Sequence, residues 1–347
     1  MDRFPRARAV IERGLAGRAY PAASIEVGRR DDVLWNDAFG ALTYDADAPA
    51  CTPDTIFDLA SLTKVIATTS IAMRHVADGL SLDDPVSRWI AAWHGDDRAA
   101  VTVRHLLEHA SGLPAHVRFW ERHADRQAIL RALVAVPLER PPGSAAVYSD
   151  PGFMLLGLLL EARGGAALDA QFAPIARAIG GGITFTPDAS LRPRIAPTEI
   201  DRWRGRLLQG EVHDENAAAL GGVAAHAGLF GTAASVGTFA RLVLRTFQED
   251  TPLGTPDTMR LFAAPSRIPD SSRALGWDTM RPTSSCGTKM SPAAIGHTGF
   301  TGTSLWIDPE RDLYVVWLTN RVHPTRENNQ LAALRPVLHD AIGEDVS

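Results

Sequence analysis

Ser61 and Lys64 stand three residues apart in the run Phe57-Asp58-Leu59-Ala60-Ser61-Leu62-Thr63-Lys64-Val65-Ile66-Ala67. A hydroxyl is a weak nucleophile, and a neutral or proton-sharing amine within reach of it is one way to activate it. From Leu62 to Val76 the apolar residues fall at 62, 65, 66, 72, 73 and 76, with small residues and Ile71 between, which is helical spacing, and Gly79 is a fitting stop. Residues three apart on a helix share a face. Between Asp58 and Arg74 the only charged side chain is Lys64. So uncharged a helix reads as buried, and its lysine as desolvated, which lowers the pKa of an ammonium. A plainer account also fits, in which Ser61 caps the helix and Lys64 snorkels to water.

A second chemistry-bearing stretch is His105-Leu106-Leu107-Glu108-His109. It matches H-x-x-E-H, whose histidines at i and i+4 on one helix could hold zinc. The helix is short, however, and no third ligand stands out. His213, Asp214 and His226 have no metal spacing and are read as shaping a cleft. Cys51 and Cys286 are the only cysteines. They lack C-x-x-C spacing and fit a reducing compartment. No metal or other cofactor is expected. There is no G-x-S-x-G elbow, no G-x-G-x-x-G and no P-loop, which disfavours an α/β-hydrolase or a nucleotide enzyme.

These residues need a scaffold. Residues 6 to 17 read as a short amphipathic helix. Ala22–Val27 and Val33–Gly40 alternate and are joined by the polar link Gly28-Arg29-Arg30-Asp31-Asp32 as a hairpin. After Gly79 the character is helical. Asp84-Pro85 opens a helix, Thr102 caps another that stops at Ser111-Gly112, and a further one spans Gln127–Val136. Pro151 begins an apolar helix from Gly152 to Ala162, so Tyr148-Ser149-Asp150 lies at a proline-stiffened junction. Thr232 precedes a helix to about Phe247. Strands return at Ile295–Ile307 and Leu313–Thr319 around the turn Asp308-Pro309-Glu310-Arg311-Asp312. A helix over Glu327–Ile342 closes the chain. The expected fold is therefore α/β (α+β), with an antiparallel sheet built from both termini, flanking helices and an inserted, mainly helical subdomain. Within a single domain, the sheet part takes about 1–55 and 270–347 and the helical part about 56–269. A cleft between the two layers is the natural site.

In chain order, Ser61-Leu62-Thr63-Lys64, Tyr148-Ser149-Asp150 and Gly296-His297-Thr298-Gly299-Phe300 resemble the S-x-x-K, Y-x-N and K/H-T-G motifs of the penicillin-recognising serine hydrolases. That superfamily includes class C β-lactamases, DD-peptidases and related esterases. Supporting resemblances run through Arg104–Leu113, Val212–Ala217, His226–Phe230 and Thr319–Pro324, so the likeness covers nearly the whole chain. It implies a β-lactamase/transpeptidase-like fold and a catalytic set of Ser61, Lys64 and Tyr148. Ser61 would form an acyl-enzyme, Lys64 would accept its proton or tune the base, and Tyr148 would shuttle protons to the leaving group. The backbone N–H groups of Ser61 and Phe300 would form the oxyanion hole. Asp150, His297, Thr298 and Gly299 would line the substrate, with Gly299 allowing the backbone to approach it closely.

Two residues depart from the pattern. Asp150 stands where the family has Asn. Ionised beside Lys64 it would favour the ammonium and make Tyr148 the base; otherwise it caps the helix that follows. His297 replaces the Lys of most β-lactamases, and a histidine of ordinary pKa is mostly neutral at pH 7, so recognition of a substrate carboxylate would be weaker and pH-dependent.

The chain has 347 residues, 45% of them hydrophobic, and a net charge of −5 without a long basic run, which disfavours nucleic acid as a partner. Asp2, Arg3, Arg6, Arg8, Glu12 and Arg13 open the chain with no apolar segment after them, and no run approaches the length needed to span a bilayer. A cytoplasmic protein acting on a small-molecule ester or amide, without membrane partners, is the expectation. Carboxylesterase activity on small acyl esters comes first. A DD-peptidase or amidase on D-amino-acid or muropeptide substrates comes second, and weak β-lactamase activity third. The readings of another class are a zinc hydrolase using His105, Glu108 and His109, and a non-catalytic binding protein.

Overall fold

The computed structural model describes residues 3–123 and 125–346, so Asp2 of the N-terminal charge cluster lies outside the described residues. Its frame is a six-stranded antiparallel sheet made of β1 (Ala22–Gly28), β2 (Val33–Gly40), β3 (Asp278–Thr279), β4 (Ile295–Gly299), β5 (Thr303–Asp308) and β6 (Leu313–Thr319). Their order across the sheet is β2-β1-β6-β5-β4-β3. The two ends of the chain thus meet at the β1–β6 pair, where Ile25 faces Trp317 and Val27 faces Val315.

Both faces of the sheet are covered, which explains the continuous apolar run Leu-Tyr-Val-Val-Trp-Leu in β6. Strand side chains alternate between faces. Val315 and Trp317 pack with Phe4, Val10, Ile11, Leu338 and Ile342, from the N-terminal helix Pro5–Ala16, its flank and the closing helix Leu331–Asp345. Tyr314, Val316 and Leu318 face the other way, into the larger core with Val236, Phe239 and Val243 of the helix Ala233–Thr246. The closing helix starts four residues later than the 327 expected from sequence.

Two sequence expectations are corrected near the site. The strand expected over 295–307 is broken: β4 ends at Gly299, and Phe300 lies in a tight turn closed by Gly302 N–H to Gly299 O at 3.1 Å. Gly302 has φ +112°, a conformation that side chains disfavour, so strand geometry cannot continue there. The helix after Ser61 is also not uniformly α. Lys64–Thr69 forms a π-helical turn, and regular α-helix runs only over Ser70–Ala77. The Ser70 hydroxyl donates to Val65 O, five residues back, at 3.2 Å. Such turns are frequent at functional sites. At Asp84-Pro85 only a short 3₁₀ turn, Val86–Arg88, forms. Among the described residues, no helix is long and apolar enough to cross a membrane.

Candidate active site

The chain reaches Ser61 through a strained turn. The two-residue strand Phe57–Asp58 pairs with Leu229–Gly231. Ala60 then takes φ +47°, a conformation uncommon outside glycine, and its N–H donates to Asp58 Oδ1 at 2.8 Å. A second short tie, His213 N–H to Asp58 Oδ2 at 2.7 Å, occupies the other oxygen of this buried carboxylate. The neighbouring carbonyls hold the turn after β4. Thr301 Oγ1 donates to Asp58 O at 2.8 Å and Thr303 Oγ1 to Leu59 O at 3.0 Å.

Ser61, Lys64, Tyr148 and Asp150 are brought together. Lys64 is fully buried, and its ammonium donates to Asp150 Oδ1 at 2.7 Å, His226 O at 3.0 Å and Ser61 Oγ at 3.1 Å. The Tyr148 hydroxyl donates to Ser61 Oγ at 2.7 Å. Each partner is a hydroxyl, and rotating the two O–H bonds reverses this contact without moving a heavy atom.

The electrostatics overturn the expectation of a depressed lysine. Burial does oppose the Lys64 charge, but the Asp150 carboxylate and the Tyr148 oxygen outweigh it, and the pKa lies above the ordinary lysine value. Three N–H donors meeting three acceptors is what an ammonium needs in a dry place. Asp150 would be raised by burial, yet Lys64 and His116 hold it below the usual carboxylate range. Tyr148 is pushed up by burial and by Asp150, with Lys64 pulling only partly the other way.

The alternatives for Asp150 separate cleanly. The helix Asp150–Gly164 is capped by Ser149, whose Oγ accepts from Gly152 N–H at 3.0 Å. Asp150 is therefore free for Lys64. Its second oxygen lies 3.6 Å from His116 Nδ1. Neither His116 nor Arg273, described below, carried a local sequence signal.

The H-x-x-E-H stretch serves as a brace for this junction. Its helix ends at Leu107, and His109 sits beyond it at φ +57°, so the two histidines do not form the helical i, i+4 pair that the zinc motif requires. His105 Nδ1 accepts from Thr102 N–H at 3.2 Å. His109 Nδ1 accepts from Ser149 N–H at 3.0 Å, and its carbonyl accepts from Val147 N–H at 2.8 Å. The His109 ring lies 4.7 Å from Tyr148 and 4.8 Å from Phe153. Among the described residues, no three His, Cys, Asp or Glu side chains cluster as metal ligands.

A cleft of about 960 Å³ opens over Ser61 and is also lined by Tyr148, Asp150, His297, Thr298, Gly299 and Phe300. Among the described residues, the backbone N–H groups of Ser61 and Phe300 donate to no protein group. Phe300 is half exposed, with its ring 5.7 Å from His213 and 4.7 Å from the Arg321 guanidinium. His213 is itself fixed by Glu199 at 2.9 Å. A Cβ on Gly299 would lie 2.1 Å from Thr303 Oγ1 and 2.7 Å from Leu59 O. The close approach this glycine permits is therefore to the nucleophile turn.

His297 is buried, and its Nδ1 donates to Thr298 O at 2.8 Å. Burial, with Arg273 and Lys64 nearby, holds its pKa well below the ordinary histidine value. It stays neutral through the physiological range, so the pH-dependent carboxylate recognition expected of it is corrected. A permanent positive charge is present elsewhere. Arg273 lines the cleft with its guanidinium 5.3 Å from the Tyr148 ring. Its ion partner, Asp278, is 3.9 Å away, and among the described residues the guanidinium makes no hydrogen bond within the protein.

The family model described as Beta-lactamase matches residues 7–338. A protein of Escherichia coli K12 with the provisional name D-alanyl-D-alanine carboxypeptidase is 31% identical, over 88% of this chain and 79% of its own length. An N-acetylmuramyl-L-alanine amidase of Bacillus subtilis strain 168 is 30% identical, over 90% of this chain and 80% of its own. Among solved structures, EstCE1, described as a hydrolase with promiscuous acyltransferase activity, superposes with a TM-score of 0.77 at 22% identity, covering 97% of both chains. At that identity the likeness speaks for the fold.

Proposed function

The chain belongs to the beta-lactamase family and is a serine hydrolase, and from that premise we propose that it cleaves carboxylate-bearing amides through an acyl-Ser61 intermediate. The substrate class placed first is a D-amino-acid peptide or a cell-wall-derived amide. Arg273 is the observation that carries this choice. It puts a guanidinium that makes no hydrogen bond within the described protein, and only a 3.9 Å ion contact to Asp278, beside Tyr148 in the cleft, and a guanidinium matches a carboxylate in a two-pronged geometry. The names of the two relatives at 30–31% identity point the same way.

In the mechanism the pair stays Lys64-ammonium and Asp150-carboxylate. Ser61 Oγ attacks the carbonyl carbon while its proton passes to Tyr148 Oη, and the phenolic proton of Tyr148 passes to the leaving nitrogen. Tyr148 begins and ends neutral, which suits its raised pKa. Lys64 stabilises the negative charge that develops between the two oxygens 2.7 Å apart. The carbonyl oxygen takes the N–H groups of Ser61 and Phe300, where loss of one donor costs about 10²–10³ in rate. Deacylation runs the relay backwards: water attacks, its proton goes to Tyr148, and the Tyr148 proton returns to Ser61 Oγ. An alcohol or amine in place of water would give acyl transfer.

A second reading, an esterase for uncharged esters, is favoured by the neutral His297 in the H-T-G position. β-Lactam turnover is the third. One set of rates separates the first two: a D-alanyl-D-alanine-terminated peptide, the same peptide with its carboxylate amidated, and a p-nitrophenyl ester, each with wild type and Arg273→Gln. The peptidase reading expects the free carboxylate to be preferred and Arg273→Gln to erase that preference at tenfold or more, with the ester rate little changed. Fast ester cleavage without peptide cleavage would move the assignment to the esterase. Intact mass after a serine-directed fluorophosphonate should show one adduct on wild type and none on Ser61→Ala.

A further inference from the structure

The Lys64–Asp150 pair poses a problem for Tyr148. A lone lysine ammonium would lower the energy of negative charge on Tyr148 and Ser61. Asp150, 2.7 Å from Lys64 Nζ, cancels most of that field. A third group touches the same carboxylate. His116 Nδ1 is 3.6 Å from Asp150 Oδ2, the oxygen to which Lys64 does not donate. The placement is built into the backbone, because Ala115 O accepts from Asp150 N–H at 3.0 Å. Lys64 is wholly buried, whereas the His116 side chain is 45% exposed and can exchange protons with solvent.

We propose that His116 is a positioning residue that governs the nucleophile through Asp150: its protonated ring shares the carboxylate with Lys64 and restores a net positive charge beside Tyr148 and Ser61. With His116 charged, Lys64, Asp150 and His116 together carry one positive charge, as a lysine beside a neutral amide would. With His116 neutral, the net charge beside the two hydroxyls is zero.

The other groups facing this cluster are Asp214 and Glu215, the His226 ring and Tyr148. Both carboxylates act on His116 in the same direction as Asp150, favouring its charged form. His226 Nε2 is bonded to Asp214 at 2.8 Å and its carbonyl to Lys64, so it belongs to the inner shell. Arg118, on the same loop, is paired with Glu121 at 3.1 Å. The Asp150 carboxylate, 3.6 Å away, raises the His116 pKa above the ordinary histidine value. The sign follows: the charged form persists somewhat above pH 6.5 and is lost as pH rises further. Nucleophile reactivity should fall across that interval.

This inference rests on the acyl-Ser61 reading, and its test keeps the two apart. The readout is the second-order rate of Ser61 modification by a fluorophosphonate, followed by intact mass between pH 5 and 9 at constant ionic strength, which needs no natural substrate. Wild type should show a downward step as the pH rises above the ordinary histidine range. His116→Gln should sit at the lower plateau throughout, about three- to tenfold below the wild-type acid plateau, as expected for one charge acting through a few ångströms of partly solvated protein. His116→Lys, whose charge persists to high pH, should hold the upper plateau through pH 9. Asp150→Asn should also lose the step, because the carboxylate that couples His116 to the site is gone. A step of unchanged size and position in His116→Gln would overturn the proposal. Absence of labelling in every protein, wild type included, would instead overturn the acyl-Ser61 reading. A merely structural role for His116 would change amplitudes or folding without moving the step.

Discussion

Lys64 commits all three N–H groups inside the protein, to Asp150, Ser61 and the His226 carbonyl. Removing such a partner leaves a largely buried carboxylate alone, typically at a cost of about 3–5 kcal/mol. Lys64→Met should therefore abolish turnover and lower urea stability at pH 7 by about 3 kcal/mol, the smaller end because Asp150 keeps 17% exposure and His116. The double variant Lys64→Met with Asp150→Asn should recover most of that stability and none of the activity. Acid separates the two causes of loss. Asp150 is depressed in wild type, so its contribution is present above the ordinary carboxylate pKa and is lost as pH falls. In Lys64→Met the carboxyl that has lost its lysine takes up a proton, and the gap from wild type should close below about pH 4. A gap independent of pH would mean that Lys64 stabilises by packing alone. The serine and the lysine were legible from spacing, the tyrosine only from the resemblance of three ordered motifs. The state of the lysine was not, because burial and a partner 86 residues away act in opposite directions and only the geometry decides between them. His116 and Arg273 left no trace in sequence for a related reason: each acts through a contact made only when distant loops meet.

At the scale of elements, Asp58 ties three segments with three short contacts, one on each of its oxygens. Its carboxylate takes Ala60 N–H and His213 N–H, and its carbonyl takes the Thr301 hydroxyl. The turn that carries Ser61, the loop behind Phe300 and the turn after β4 are thereby fixed relative to each other. Both proposed oxyanion donors hang on this knot. Asp58→Ala should lower kcat by about 10²-fold while KM moves little, since the donors act on the transition state. Asp58→Asn keeps one acceptor and should fall between. Steady-state kinetics beside a urea melt would check this; a change confined to KM would place Asp58 in substrate binding instead. The residue looked unremarkable in sequence, one aspartate before an apolar helix. The π-helical turn over Lys64–Thr69 was equally silent, because apolar positions spaced for an α-helix tolerate one widened turn. The hairpin of β1 and β2 and the helix after Pro151 were legible, as period-two alternation and a capped apolar run are local properties.

At the scale of the whole molecule, the site lies on a seam. One wall comes from β4 and the turn after it, supplied by the C-terminal part of the chain, and the other from the segment leading to Ser61. At Gly299 the two backbones pass close together, with Leu59 O 2.7 Å from where a Cβ would sit. Arg335 of the closing helix, which also lines the cleft, donates to Gly299 O at 3.2 Å and Thr303 O at 3.1 Å, so the strand end is held by a second element as well. A methyl group at 299 cannot be absorbed by a flexible side chain, because the obstacle includes a carbonyl. Gly299→Ala should push β4 away from the Ser61 turn and separate the two N–H donors. The expected outcome is at least a hundredfold drop in fluorophosphonate labelling of Ser61, with the far-ultraviolet circular dichroism of the sheet retained and a melting temperature lowered by a few degrees. Adding a second change, Thr303→Ala, removes the nearer obstacle at 2.1 Å and leaves the carbonyl. If that double variant regains labelling, the hydroxyl was the clash; if it does not, the carbonyl of Leu59 sets the width of the seam, and the distance between the two halves of the molecule is what the glycine protects.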